Sequence, residues 1–243
     1  AKPGSKRALV DGLTRSYGGG SDRWAVGDFT FTIHTPVVAL PDPALAGADA
    51  LARAALPVVT ATLTLDNRRS PKARRLIFAV GAGQCCRFLT IAGAEAVGWG
   101  REIAIAAPAQ SGLRSFINFN EGDWVVNGDS HLLGATCGLD LEVPAGSVGE
   151  LRLVFAFCRP GVVTTGLETT YWYARAFPTV ESVLVAGLAR FAELRARADA
   201  QDRALETSGL DADRRFLIAH AERSYWGNTQ LLAVGGEPLW VVL

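Results

Sequence analysis

A change of period at Pro178 constrains this chain more than any other feature. Before it, apolar residues return at every second position in segment after segment; after it, they return at helical spacing. In residues 29–34, Phe29, Phe31 and Ile33 share one face, and Thr30, Thr32 and His34 the other. In 58–65, Val59, Ala61, Leu63 and Leu65 lie opposite three threonines. In 150–157, Leu151, Leu153, Phe155 and Phe157 line one face. Such alternation marks a strand with one face on a core. Further strands are expected over 75–80, 88–91, 103–106, 113–119, 124–126 and 139–143, with Asp66-Asn67 and Pro144-Ala145-Gly146 as turns. Many short strands with turns about every 8–12 residues point to a mainly β fold, an antiparallel β-sandwich.

Residues 1–23 are polar and Gly-rich, and 44–55 read as a short helix. After Pro178, Leu184, Leu188, Phe191 and Leu194 fall on one helical face, with Thr179 as N-cap. This helix turns polar toward Glu206, and Ser208-Gly209 breaks it. Asp211 caps a second helix reaching about residue 223. Residues 231–234 and 238–242 form a short terminal strand pair around Gly235-Gly236. The expected division is a sandwich domain over 1–176, then a helical linker with C-terminal strands over 177–243.

The charge balance narrows the function. Lys and Arg number 24, Asp and Glu 24, so no positive surplus exists to bind a phosphate backbone. Hydrophobic residues make up 49%, which excludes a disordered chain. No run of about 18 uncharged apolar residues is present, so no membrane partner is expected. Cys85, Cys86, Cys137 and Cys158 match no zinc spacing and read as reduced thiols, which with the lack of an apolar signal core suggests the cytoplasm. No metal and no cofactor is implied.

Several constellations carry possible chemistry. Gly128-Asp129-Ser130 resembles the nucleophile block of GDS-type esterases, but Gly-Asp-Ser is also ordinary turn composition. A hydrolase of that other kind would use Ser130 with His131, or the thiols Cys85 and Cys86. His34, His131 and His220 have no converging spacing and read as structural or surface groups. Glu121, Asp123, Asp129, Glu168, Glu222 and Glu237 are candidate carboxylates that sequence alone cannot pair. Tyr171-Trp172-Tyr173 and Tyr225-Trp226 are either a core or interface seal or a stacking platform for a sugar ring.

Residues 219–242 read AHAERSYWGNTQLLAVGGEPLWVV. This resembles glycoside hydrolase family 52, the β-xylosidases, in the linker that leads to a Pro-x-Trp-Val-Val strand. The Trp-x-x-Gly-Asp-x-Thr-Phe-Thr-Ile run at 24–33, Ala73-Arg74-Arg75, Val143-Pro144-Ala145-Gly146 and the aromatic block at 171–177 match in the same order. The resemblance implies a supersandwich-like N-terminal domain joined by helices to an (α/α)6 barrel. It implies release of xylose with retention by a Glu nucleophile and an Asp acid. The family's nucleophile motif follows Trp-Val-Val directly, whereas here Val242 is followed by Leu243. No catalytic residue is therefore carried over, and the chain is expected to be a portion ending before the barrel, without glycosidase activity by itself. What carries over is the approach to the site: Tyr225, Trp226, Asn228, Gln230 and Trp240 as substrate-binding residues, with Gly227 and Thr229 between them; Trp226 stands where the family has Tyr. Xylose or a xylo-oligosaccharide is the implied small partner, with a sugar-binding module as the alternative. Leu231, Leu232, Leu239, Trp240 and Val242 would lack the barrel's cover, so a homodimer through the helices and terminal strands is expected.

Overall fold

A computed structural model describes residues 11–81, 83–120, 130–164 and 166–242. The strand expected at 124–126, Gly128-Asp129, the carboxylates Glu121 and Asp123, and Leu243 lie outside the described residues.

The alternating segments form two facing sheets. The larger contains β1 (Thr14–Tyr17), β2 (Ser21–Val26), β3 (Phe29–His34), β4 (Val58–Asp66), β6 (Cys86–Phe88), β7 (Ala94–Trp99), β8 (Ile103–Pro108) and β11 (Val148–Phe157). Its strand order is β1-β2-β3-β4-β11-β8-β7-β6. The smaller contains β5 (Arg74–Gly81), β10 (Thr136–Val143) and β9 (Leu113–Asn118), in that order. Pairing is antiparallel throughout both sheets among the described residues. Register follows the apolar pattern. Phe31 lies opposite Leu63 and Ile33 opposite Ala61. Leu63 in turn faces Leu151, and Ala61 faces Leu153. A slip of one residue would turn each row to the wrong face. These rows meet Leu76, Leu139 and Leu141 of the smaller sheet to make the sandwich core.

The outer face of the larger sheet is also covered. Helix α2 (Val180–Glu206) lies across it, and Val180, Val183, Leu184 and Phe191 pack on Ala104, Ala106, Val154 and Ala156. The second half of β11 is thus covered on both sides: Leu153, Val154 and Ala156 are all buried, and Leu-Val-Phe-Ala there drops the polar alternation that Glu150 and Arg152 keep in its first half. Thr179 and Ser182 form a reciprocal capping box at the start of α2, each side chain bonding the other's amide.

The far end of α2 is tied to the first hairpin. Asp202 accepts from the Gly20 amide at 2.7 Å, from the Ser21 amide at 3.1 Å and from the Ser21 hydroxyl. Gln201 bonds the Val37 amide and carbonyl at 2.9 and 2.7 Å. The Gly18–Gly20 run permits this approach, since a Cβ on Gly20 would sit 2.5 Å from the Ala198 backbone. The described part of the polar, Gly-rich stretch 1–23 holds β1 and the first half of β2. Their backbone pairing and the Asp202 clasp replace an apolar pattern as the organising force.

Helix α3 (Ala212–Gly227) follows, its N-terminus capped by Asp211, which accepts the Arg214 amide at 2.9 Å. A third small sheet has the order β12 (Thr169–Tyr171), β13 (Thr229–Val234), β14 (Glu237–Val242). Gly235 and Gly236 turn the last hairpin with φ of +57° and +98°, a region open to glycine at little cost. A short helix α1 (Ala48–Ala54) precedes β4, and a 3-10 turn (Trp172–Arg175) follows β12.

Candidate functional site

Where β13, β14, the 3-10 turn and the segment after α1 meet, they enclose a cleft of about 270 Å³. Trp226, Gln230 and Trp240 line it, with Tyr171, Tyr173, Pro36, Val38, Leu56 and Pro57. The register sets part of the convergence. Gln230 pairs with Val241 and Tyr171 with Leu232, so Gln230 and Tyr171 share one face of the small sheet, whereas Trp240, opposite Leu231, starts from the other face. Trp240 lines the cleft from the edge strand β14, and the end of α3 adds Trp226.

Each aromatic ring is held. The Trp240 indole Nε1 donates to the Pro41 carbonyl at 3.0 Å. Tyr171 and Tyr173 stack with centroids 5.3 Å apart and planes 15° from parallel. The Arg159 amide donates to the Tyr173 hydroxyl oxygen at 2.8 Å, and burial pushes the Tyr173 phenol above its ordinary value. Trp226 meets Tyr225 edge-on at 5.7 Å. Flat aromatic faces beside one side-chain amide suit the apolar C–H face of a sugar ring and its hydroxyls. No carboxylate lines the cleft among the described residues.

The other expected site residues lie apart from this lining. Tyr225 is largely exposed, and its carbonyl accepts the Thr229 hydroxyl at 2.7 Å. Asn228 is the C-cap of α3, its amide donating to the Ser224 carbonyl at 3.2 Å. The rings Tyr171 and Tyr173 were visible in sequence as an aromatic block, but nothing there joined them to Trp226. Pro36, Pro41 and Pro43 mark a loop in the sequence but give no sign that Pro36 and Val38 wall a cleft.

The remaining candidates do not gather. Glu168, Glu222 and Glu237 are exposed. Ser130 accepts the Ile117 amide at 3.0 Å, which ties its hydroxyl to β9. His131 packs against Phe119, the rings tilted by 42° with centroids 4.8 Å apart. Cys86 and Cys137 are buried side by side in a small core, and burial raises both thiols; Cys158 is raised by burial too, while Cys85 is exposed. His220 stacks on Phe216, and His34 lies under α2, edge-on to Phe191 at 6.2 Å. Among the described residues no cluster of His, Cys, Asp and Glu could hold a metal ion.

The fold is an antiparallel sandwich with a helix across one sheet and an aromatic cleft beside the small terminal sheet. The comparisons with known proteins make this specific. The model for glycosyl hydrolase family 52 matches residues 2–243, and the chain belongs to that family. A β-xylosidase of Geobacillus stearothermophilus is 33% identical over 95% of the chain, and another from the same organism is 30% identical over 96%. The chain spans 34% and 39% of the length of these two curated relatives.

Proposed function

We propose that this chain is the sandwich-and-linker portion of a β-xylosidase, and that it binds sugar without cleaving it. The observation that carries this reading is an aromatic cleft with no carboxylate in its lining. Retaining hydrolysis of a glycoside needs two carboxylic groups about 5–5.5 Å apart, one as nucleophile and one as acid. A cleft of aromatic rings and one amide can hold a xylose ring but has nothing to form the glycosyl-enzyme bond or to protonate the leaving oxygen. In this reading Trp226, Trp240 and Gln230 contact xylose or a xylo-oligosaccharide directly, and Tyr225 and Asn228 fix the end of α3 that presents Trp226. Hydrolysis then depends on carboxylates supplied from outside residues 1–243. The four unpaired cysteines favour a cytoplasmic location, where thiols stay reduced. No helix of the described residues is long and apolar enough to cross a membrane.

Two assays on the purified chain test this. Xylobiose should quench tryptophan fluorescence saturably, and Trp226→Ala and Trp240→Ala should each weaken that response. An aryl β-xyloside should give no turnover above buffer. Turnover that survives repurification and vanishes in Glu222→Gln or Glu237→Gln would overturn the non-catalytic reading.

A further inference from the structure

A second cavity, of about 300 Å³, adjoins the first and shares Trp226 as a wall. It lies between the ends of β3 and β4, helix α2 and the C-terminal part of α3. Its polar lining is unusual. His34 and Thr60 are register partners across β3 and β4, and both are more than 95% buried. His34 Nε2 bonds Thr62 at 2.9 Å, but His34 Nδ1, Thr60 Oγ1 and Thr35 Oγ1 have no protein partner. Arg223 donates through Nη2 to the carbonyls of Gly18 and Ser21 at 2.7 and 2.6 Å, and its guanidinium lies 3.9 Å from the centre of the Tyr17 ring. Its Nε and Nη1 are buried without a partner.

Five orphaned polar atoms from four residues around one cavity call for a ligand, because an unmatched buried donor or acceptor costs about 1–3 kcal/mol. Their chemistry limits what it can be. Among the described residues the lining holds Arg53, Arg190 and Arg223 and no carboxylate. Arg190 is neutralised by Glu193 at 2.8 and 2.9 Å, which leaves Arg223 as the charge with buried N–H groups to offer. One such guanidinium suits one negative charge. The two threonine hydroxyls and the imidazole nitrogen suit ligand hydroxyls. Trp226, Pro36, Val38, Leu56 and Leu194 suit an apolar ring face rather than a bare inorganic ion.

We infer that this cavity binds a monosaccharide-sized hydroxy acid, its carboxylate on Arg223 and its hydroxyls on Thr35, Thr60 and His34. The assignment stands on this cavity alone and does not rest on the xylosidase reading.

Calorimetric titration of the 243-residue chain tests it, with D-glucuronate as probe and D-glucose and inorganic phosphate as the neutral and inorganic counterparts. Glucuronate should bind with one site per chain, at least about tenfold more tightly than either counterpart, the factor expected for one charge-assisted hydrogen bond. Thr60→Val and Thr35→Val remove hydroxyls that have no partner in the protein. Each should weaken glucuronate about fivefold while leaving the melting temperature of the free chain unlowered. Arg223→Gln should abolish binding; should it fail to fold, the threonine variants still decide. Equal binding of glucose, tighter binding of phosphate, no saturation by about 20 mM glucuronate, or binding indifferent to both threonine variants would each overturn the assignment. Xylobiose quenching, which reads the neighbouring cleft, should be unchanged in Thr60→Val, so failure of one site is separable from failure of the other.

Discussion

At the scale of single residues, buried polar groups set the most testable energetics. His34 is neutral in the fold because burial lowers its affinity for a proton; Arg195 acts in the same direction, and Asp199, Asp202 and Glu150 oppose it. The unfolded chain takes up that proton near the ordinary value of 6.5, whereas the folded chain takes it up only at lower pH. The stabilisation is therefore whole above about pH 6.5 and is lost as pH falls toward the lowered folded value, by at most about 1.4 kcal/mol per pH unit. The carboxylates with lowered values act in a separate, more acidic window: the Arg74 guanidinium lowers Asp28, and Arg68 lowers Asp66 to about 2. Urea unfolding should show a midpoint that falls between pH 7.5 and 5.5 in the wild-type chain and stays level in His34→Gln. A level wild-type profile would contradict the account. Asp202 makes a second prediction. It accepts three hydrogen bonds from the Gly20–Ser21 corner, so Asp202→Ala should cost about 2–3 kcal/mol, and Asp202→Asn less, since an amide oxygen can still accept. A loss under about 0.5 kcal/mol in Asp202→Ala would show that the clasp forms without it.

At the scale of elements, the contact of α2 with the larger sheet depends on one missing methyl group. A Cβ on Gly187 would lie 2.6 Å from Val154 Cγ1 and 2.9 Å from Val58 Cγ1. Alanine is the better helix former by about 1 kcal/mol, but the overlap opposes that gain. Gly187→Ala should therefore destabilise by about 1–2 kcal/mol, and Val154→Ala in the same chain should recover part of that loss; additive effects in the double mutant would refute direct packing. The helices themselves were legible in the sequence, because Thr179 and Asp211 cap them and Ser208-Gly209 separates them. Apolar and alternating strands were legible too: β3, β4, β5, β8, β9 and β11 lie within two residues of their expected bounds. Other features were not. Strand β7 reads Ala-Glu-Ala-Val-Gly-Trp, with too little side-chain bulk to show a face, and its place depends on pairing Val97 with Ile105. Strand β6 ends at Phe88, earlier than the apolar run of 88–91 suggests; Leu89 and Ile91 are buried beneath α2 in extended chain instead. The polar faces of β3 and β4 read as solvent faces, but α2 covers part of them, so His34, Thr60 and Thr62 are buried. Local pattern cannot report a cover that arrives about 150 residues later in the chain.

At the scale of the whole molecule, what the sequence held back was convergence. Trp226, Gln230 and Trp240 were named from a motif, but the β12-β13-β14 pairing brings Tyr171 onto the face of Gln230 and the end of α3 adds Trp226, a meeting that no local pattern reports. The same sheet revises the basis for self-association. Leu231 and Leu232 are covered within the chain at 3% and 5% exposure, so they offer no surface to a partner. Exposed apolar groups on these elements include Phe216, Leu217 and Tyr225 of α3 and Leu239 and Val242 of β14, each more than half exposed. Strand β14 pairs only with β13 among the described residues, so its other edge presents backbone groups that a partner strand could pair. Covering about 500 Å² of such surface is worth roughly 12 kcal/mol gross at about 25 cal/mol per Å². The entropy of association costs about 4–15 kcal/mol. Zero net charge removes the long-range repulsion that would tip this balance toward monomer. We therefore expect a homodimer at tens of micromolar, joined through α3 and β14. Light scattering after size exclusion should give about twice 25.8 kDa for the wild-type chain. Leu217→Asp and Leu239→Asp each place a charge on one of the two elements expected to meet the partner, and together they should return the mass to that of one chain. A wild-type mass of 25.8 kDa, or a dimer that the double variant leaves intact, would refute this surface as the interface.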